Sequence, residues 1–233
     1  MTSSPTTESN HHRTIRSFVL RTGRLTKGQE QAIETGWSTL GIDEGSSVLD
    51  YETLFSRSAP VILEIGFGNG ETLAQMAQAM PEYNFIGVEV HTPGVGHLLH
   101  LLQREQLSNV RVMNTDAVEI LKQRIAPHSL ARVQIFFPDP WHKKRHHKRR
   151  IVQPEFIDLV VSRLSPQGMI HLATDWEPYA QHMAEVLDAN TQLRRVQPDS
   201  PFIERPKHRP LTKFEQRGQR LGHGVWDLMY QRI

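Results

Sequence analysis

Apolar positions along the chain alternate between two rhythms. Short runs rich in β-branched residues occupy positions 61–65, 85–90, 110–113, 133–137 and 169–173, each with the length of a buried strand. Between and after them, positions 72–80, 95–106, 117–125, 154–164 and 177–187 carry apolar residues at helical spacing. Strand and helix alternating in this way predict successive βαβ units, an α/β fold with a doubly wound parallel sheet and helices on both faces. Ahead of this pattern, positions 1–12 are polar and lack an apolar core, so they are expected to be disordered and fit neither a signal peptide nor a membrane anchor. A basic segment with Arg13, Arg16, Arg21, Arg24 and Lys27 follows, and a short helix is expected over 29–36. The expected division is a tail at 1–20, an N-terminal arm at 21–58 and one main domain at 59–233. Beyond Asn190 the pattern loosens into a Pro-rich basic stretch at 198–210, a predicted helix at 213–221 and a last strand at 225–230.

Composition narrows the chemistry. The 233 residues include no cysteine, which excludes disulfides, thiolate metal clusters and cysteine nucleophiles. No stretch approaches the ~20 apolar residues that span a bilayer, and a cytoplasmic location is expected. The formal net charge is only +2 although the isoelectric point is about 9.0. Affinity for an anionic partner must therefore come from local clustering of charge.

The first run leads directly into Glu64-Ile65-Gly66-Phe67-Gly68-Asn69-Gly70. In an open parallel sheet this is the crevice at the carboxyl ends of the strands, where nucleotide-like ligands bind. A dinucleotide fingerprint needs its third glycine at position 71, which is Glu71 here, so pyrophosphate binding is disfavoured. Glu89 lies at the end of the second run, where a carboxylate can accept ribose hydroxyls, and Asp116 follows the third run in position to meet an adenine edge. Three acids around one pocket repel a pyrophosphate and attract a sulfonium and an ammonium, which points to S-adenosylmethionine. Singly, the glycine turn also reads as a tight βα connection and Asp116 as a helix cap.

After the fourth run comes Pro138-Asp139-Pro140-Trp141. Two prolines fix a loop around one carboxylate, which can pair with the N1 and N2 hydrogens of a guanine, while Trp141 offers a surface on which a base can stack. Guanine held this way presents N7, an acceptor lone pair that attacks a methyl group without prior deprotonation. The same motif also reads as a rigid turn that packs Trp141 onto the core. Positions 142–150 then read His-Lys-Lys-Arg-His-His-Lys-Arg-Arg, a run placed beside the candidate site and suited to contacting phosphates. Its histidines lack partners with metal-ligand spacing, so no metal is expected.

These residues together resemble the bacterial tRNA (guanine-N7)-methyltransferase family over the chain from about Arg21 to its end. The most specific part is Phe136-Phe137-Pro138-Asp139-Pro140-Trp141-His142-Lys143 with the basic run and Ile151-Val152-Gln153 behind it. Glu64 with its glycine turn, Gly87-Val88-Glu89, Asp116, Thr174-Asp175-Trp176-Glu177 and Thr212-Lys213-Phe214-Glu215 complete the match. The resemblance implies a Rossmann-like class I methyltransferase with a seven-stranded, mostly parallel sheet, acting on a tRNA guanine, conventionally position 46 of the variable loop. It implies that Glu64, Glu89, Asp116 and Asp139, with Gly66, Gly68 and Gly70, hold S-adenosylmethionine, and that Asp139 is catalytic. It further implies substrate contacts at Lys143, Asp175, Thr212, Lys213, Phe214 and Glu215, and RNA contacts at Arg145, His146, His147, Lys148, Arg149 and Arg150. Thr174-x-x-Glu177 and Thr212-x-x-Glu215 also fit the capping box that opens a helix. Two other functions are compatible with the pattern: methylation of an exocyclic amino group on another base, and an RNA-binding protein without catalysis. A monomer is the favoured assembly.

Overall fold

The run at 61–65 becomes the fully buried strand β1, Val61–Ile65, in the interior of the sheet. A computed structural model describes Phe18, residues 23–212, Glu215 and residues 224–233. Most of the expected tail, Lys213, Phe214 and nearly all of the helix expected at 213–221 lie outside the described residues.

Strands β2 (Asn84–Val88), β3 (Val110–Met113), β4 (Leu130–Phe136) and β5 (Leu164–Thr174) follow the expected runs within a few residues, except that β5 begins five residues early. Three further strands, β6 (Leu193–Arg195), β7 (Phe202–Ile203) and β8 (Trp226–Arg232), complete an eight-stranded sheet. Its order is β3-β2-β1-β4-β5-β8-β6, with β7 also paired to β8. Pairs among β1 to β5 are parallel, while β8 runs antiparallel to β5, β6 and β7. One strand more than the expected seven is present, and β6 and β7, at three and two residues, are too short to leave a periodic signal.

Helices α3 (Glu71–Ala79), α4 (Thr92–Arg104), α5 (Ala117–Gln123), α6 (Pro154–Arg163) and α7 (Glu177–Asp188) follow the strands as expected. In the arm, α1 (Lys27–Leu40) opens with a capping box between Thr26 and Gln29 and runs longer than expected. The single turn α2 (Tyr51–Phe55), capped by Asp50, was not anticipated, because five residues carry too little periodicity to register. The arm is laid along the body: Gln29 donates to the Pro93 carbonyl at 3.0 Å and the Ile42 amide to Val112 at 2.8 Å.

Alternation along β1 sorts the core into two layers. Val61, Leu63 and Ile65 join Ile120, Ile157, Val160 and Tyr179 on the α5–α7 side, whereas Ile62 joins Leu73, Met76, Leu98 and Leu102 under α3 and α4. Glu64 shares the face of Ile62 and is therefore a carboxylate set into an apolar layer. Strand order reverses between β1 and its neighbours β2 and β4, and the crevice at their carboxyl ends is where this architecture binds ligands.

Candidate active site

Gly66, Gly68 and Gly70 all take left-handed backbone, with φ of 73°, 62° and 76°. That conformation favours glycine, and a Cβ built on Gly66 or Gly68 would meet no atom within 4 Å. The turn is thus an open cradle. Behind it the fit is tight, since a Cβ on Gly94 at the start of α4 would lie 2.0 Å from the Gly68 carbonyl oxygen.

Glu89 follows β2 and shapes this turn. Its Oε2 accepts the Gly68 amide at 2.9 Å, and its Oε1 accepts the amides of Val90 and His91 at 2.7 and 2.9 Å. Oε1 has both acceptor positions filled by these bonds, so Oε2 keeps capacity for a ligand hydroxyl. Asp116 caps α5 through the Val118 amide at 2.9 Å and also lines the cleft. The helix-cap and ligand readings of this residue are compatible.

Glu64 is buried, registered opposite Gln134 on β4, and accepts the Gln134 amide at 2.6 Å. Burial pushes its carboxyl up to about 7; the Gln134 bond opposes that rise and the Glu89 charge adds to it. The Gln134 Oε1 atom, also buried, has no partner among the described residues. A carboxylate so poorly compensated favours an arriving cation.

Two adjoining clefts open at these strand ends and share Gly66 and Phe136. The first, about 640 Å³, is lined among others by Glu89, Asp116, Pro138 and Asp139. The second, about 1550 Å³, is lined among others by Glu64, Gly68, Phe137 and Thr212. Phe18, from the stretch expected to be a tail, also lines the first. Nothing in the apolar pattern marked Phe18, whereas Gln134 was visible as a polar residue inside an apolar run.

The Pro-Asp-Pro-Trp loop is held in an uncommon shape. Phe137, just before it, and Trp141, at its end, have φ of 53° and 46°, positions that cost side-chain-bearing residues on the order of 1–2 kcal/mol each. Several contacts hold this shape. The Phe137 amide donates to Ala173 at 2.8 Å, the Arg150 Nε to Pro140 at 2.9 Å, and the Arg149 guanidinium lies 3.9 Å from the centroid of the Trp141 ring. One face of Trp141, expected to receive a base, is therefore covered by Arg149.

The basic run forms a 3-10 helix, Lys144–Arg149. Lys143, Lys144, Arg145 and Lys148 are exposed, and His146, His147 and Arg149 partly so. Arg150, expected to meet RNA, is instead buried: it holds the Pro140 carbonyl and lies 4.6 Å from the centroid of the Tyr179 ring. The loop before it needs a donor there, and Arg150 supplies it. His142 meets Trp176 edge-on at 4.3 Å, which brings the loop carrying Asp175 beside the Asp139 loop.

The two capping boxes part company. Thr174 accepts the Trp176 amide at 3.2 Å and Trp176, not Thr174, is the cap residue before α7, so no box forms with Glu177. Thr212 and Glu215 do form one, with bonds of 2.9 and 3.0 Å. Glu215 is also buried and paired with Arg209, which sequence reasoning did not single out. Among the described residues no cluster of three or more His, Asp or Glu is arranged to hold a metal, and no helix is long and apolar enough to cross a membrane.

Fold and cleft together define a class I methyltransferase. The sheet is shared with the 16S rRNA methyltransferase KamB, at TM-score 0.55 and 15% identity over 79% of this chain and 94% of that one. It is shared also with the aminoglycoside resistance methyltransferase NpmB1, at TM-score 0.53 and 16% identity over 78% and 92%. The family model described as "Putative methyltransferase" matches residues 58–228. A tRNA (guanine-N(7)-)-methyltransferase from Shewanella sp. (strain MR-4) is 58% identical over 226 residues, 97% of this chain and 95% of that protein. Its counterpart from Pseudoalteromonas atlantica is 55% identical over 221 residues, 95% of this chain and 92% of that protein. The chain belongs to the tRNA (guanine-N7)-methyltransferase family.

Proposed function

We propose that this protein transfers a methyl group from S-adenosylmethionine to N7 of a guanine in tRNA, at position 46 of the variable loop, in the cytoplasm. The observation that carries the reading is the meeting of two clefts at Gly66 and Phe136, one rimmed by Glu89, Asp116 and Asp139 and the other floored by Glu64. The open glycine cradle and an uncompensated buried carboxylate fit a ligand that is both nucleoside-like and cationic. Glu89 Oε2 takes a ribose hydroxyl, Asp116 the adenine edge and Glu64 the positive end of the amino acid.

Bound S-adenosylmethionine supplies an electrophilic methyl group on a sulfonium. The guanine N7 lone pair can accept that methyl group without first losing a proton. What remains for the protein is alignment and charge placement. Asp139, on its proline-braced loop, orients the base and offsets positive charge as it passes to the purine. Lys143, Asp175, Thr212, Lys213 and Phe214 are assigned to the substrate side, whereas Glu215, expected there too, is buried with both oxygens on Arg209 and serves by capping Thr212. The exposed part of the basic run, Arg145 with His146, His147, Lys148 and Arg149, contacts RNA phosphates. We take 59–233 as the catalytic domain, 21–58 as an arm packed on it and the protein as a monomer.

The test is product identity. Unmodified tRNA incubated with methyl-labelled cofactor should become cleavable at a single site by chemistry specific for N7-methylguanosine. Label recovered in methyladenosine, or in an exocyclic amine, would overturn the assignment.

A further inference from the structure

The most heavily bonded side chain in the described structure takes no part in the reading so far. Arg209 is fully buried. Its Nε and Nη2 donate to the two oxygens of Asp227 on β8, both at 2.7 Å, and its Nη1 and Nη2 donate to the two oxygens of Glu215, again both at 2.7 Å. One guanidinium thus makes two forks at once, a geometry a lysine cannot reproduce.

The network extends to β5. His171 bonds Asp227 at 2.8 Å and lies 3.3 Å from His208. Burial lowers the basicity of His171 and His208, so both stay neutral at neutral pH. Neutral rings fix the direction of donation: His208 Nε2–H to His171 Nδ1, and His171 Nε2–H to Asp227. Bonds from His171 and Arg209 outweigh burial and hold Asp227 below the usual carboxylate range.

What this network touches is the wall of the second cleft. Pro210, Leu211 and Thr212, which follow Arg209 directly, line it, and Glu215 returns to cap the Thr212 amide. On the other side the guanidinium lies 5.7 and 5.6 Å from the ring centroids of Phe136 and Phe137, the residues that lead into Pro138 and Asp139. The opposite wall and the base of the catalytic loop are therefore held by one side chain.

We propose that Arg209 is a positioning residue for methyl transfer: it fixes the segment carrying Thr212 relative to the Asp139 loop and so sets where the guanine lies. The proposal rests on the methyltransferase reading above. Arg209 lies on neither cleft's lining, so the nucleoside end of the cofactor should be indifferent to it.

The experiment compares wild type, Arg209→Lys and Asp227→Asn, with binding of S-adenosylhomocysteine measured by calorimetry and tRNA methylation measured as kcat and KM. Displacing a wall by about an ångström costs roughly 100-fold in turnover, so Arg209→Lys should lose about that much kcat/KM while binding the cofactor product with unchanged stoichiometry and affinity. Asp227→Asn, which leaves the Glu215 fork in place, should lose less in the same pattern, and it carries the test should Arg209→Lys not fold. Wild-type kcat/KM in a folded variant would overturn the proposal. So would cofactor stoichiometry falling in step with activity, the pattern that loss of fold gives. An inactive wild type would overturn the reading of the reaction itself.

Discussion

Two groups of buried carboxylates lie on the same face of the sheet and are treated in opposite ways. Glu64, at the floor of the cleft, accepts a hydrogen bond from a neutral amide, and burial pushes its carboxyl up to about 7. Asp227 and Glu215, under the cleft wall, share an arginine that reaches every one of their oxygens. The first arrangement leaves negative potential unmatched and stores affinity for a cation. The second matches charge internally and stores geometry, since a fully paired buried network adds little net stability over an apolar replacement yet tolerates no missing member. Binding and alignment are thus assigned to different regions.

The sharpest break between chemistry and fold should come at Asp139, which is exposed on its loop. Asp139→Ala is expected to lower kcat roughly 100- to 1000-fold, the range for losing one preorganised electrostatic group. Its melting temperature should stay at the wild-type value. Single-turnover methylation and a thermal scan on the same preparation check both halves, and unchanged turnover would remove Asp139 from the mechanism.

Next in size is Glu64→Gln, which should separate stability from binding. A buried acid whose folded pKa lies above its unfolded value loses stability as pH rises, here from the ordinary glutamate value of 4.5 through about 7. Replacing it should therefore stabilise the free protein above pH 7 by an amount on the order of 3 kcal/mol, with little effect near pH 4. His208, pushed down to about 4, acts in the opposite sense: it removes stability as pH falls below 6.5. The variant's unfolding free energy should consequently climb more steeply than wild type's between pH 4.5 and 7. Cofactor affinity should fall roughly 30-fold or more, the scale for losing one partner of a buried charge pair. In wild type that affinity should rise with pH up to about 7 and then level off. Denaturant titrations and calorimetry across pH would expose a Glu64 that is ordinary.

The difference between the regions also explains what the sequence made legible. Glu64, the glycine turn, Glu89 and Asp116 sit at strand ends or in the turns after them, and strand ends follow from local periodicity. The Arg209 network joins residues 6, 18 and 56 positions apart, from loop to strand and strand to strand. Only the register of β8 against β5, which sets Asp227 beside Ala173 and Met229 beside His171, makes those meetings possible. Periodicity assigned β5 and β8 but not their register, and so it could not place His171 against Asp227. Thr174-x-x-Glu177 failed as a capping box for a related reason: Trp176 is the cap residue, with Pro178 in the first turn behind it, and no pattern of three-residue spacing distinguishes the two.

The smallest expected effect divides the basic run itself. Charge alone makes its arginines equivalent, yet Arg145 and Lys148 face solvent while Arg150 is buried against Tyr179 with its Nε on the Pro140 carbonyl. An exposed cation that meets a phosphate releases a counterion, so Arg145→Ala combined with Lys148→Ala should flatten the salt dependence of tRNA binding by roughly 1 to 2 in log–log slope. Arg150→Ala should leave that slope where it is. Its cost falls on the loop, because an unpaired carbonyl beside a strained Trp141 costs on the order of 1–3 kcal/mol and lets the Asp139 carboxylate wander. A drop in kcat of roughly tenfold at unchanged salt slope is the expected signature, read from filter binding across salt concentrations and turnover at saturating RNA. An Arg150→Ala slope as shallow as that of the double variant would mean that Arg150 reaches phosphate after all, and that its burial against the loop gives way when RNA binds.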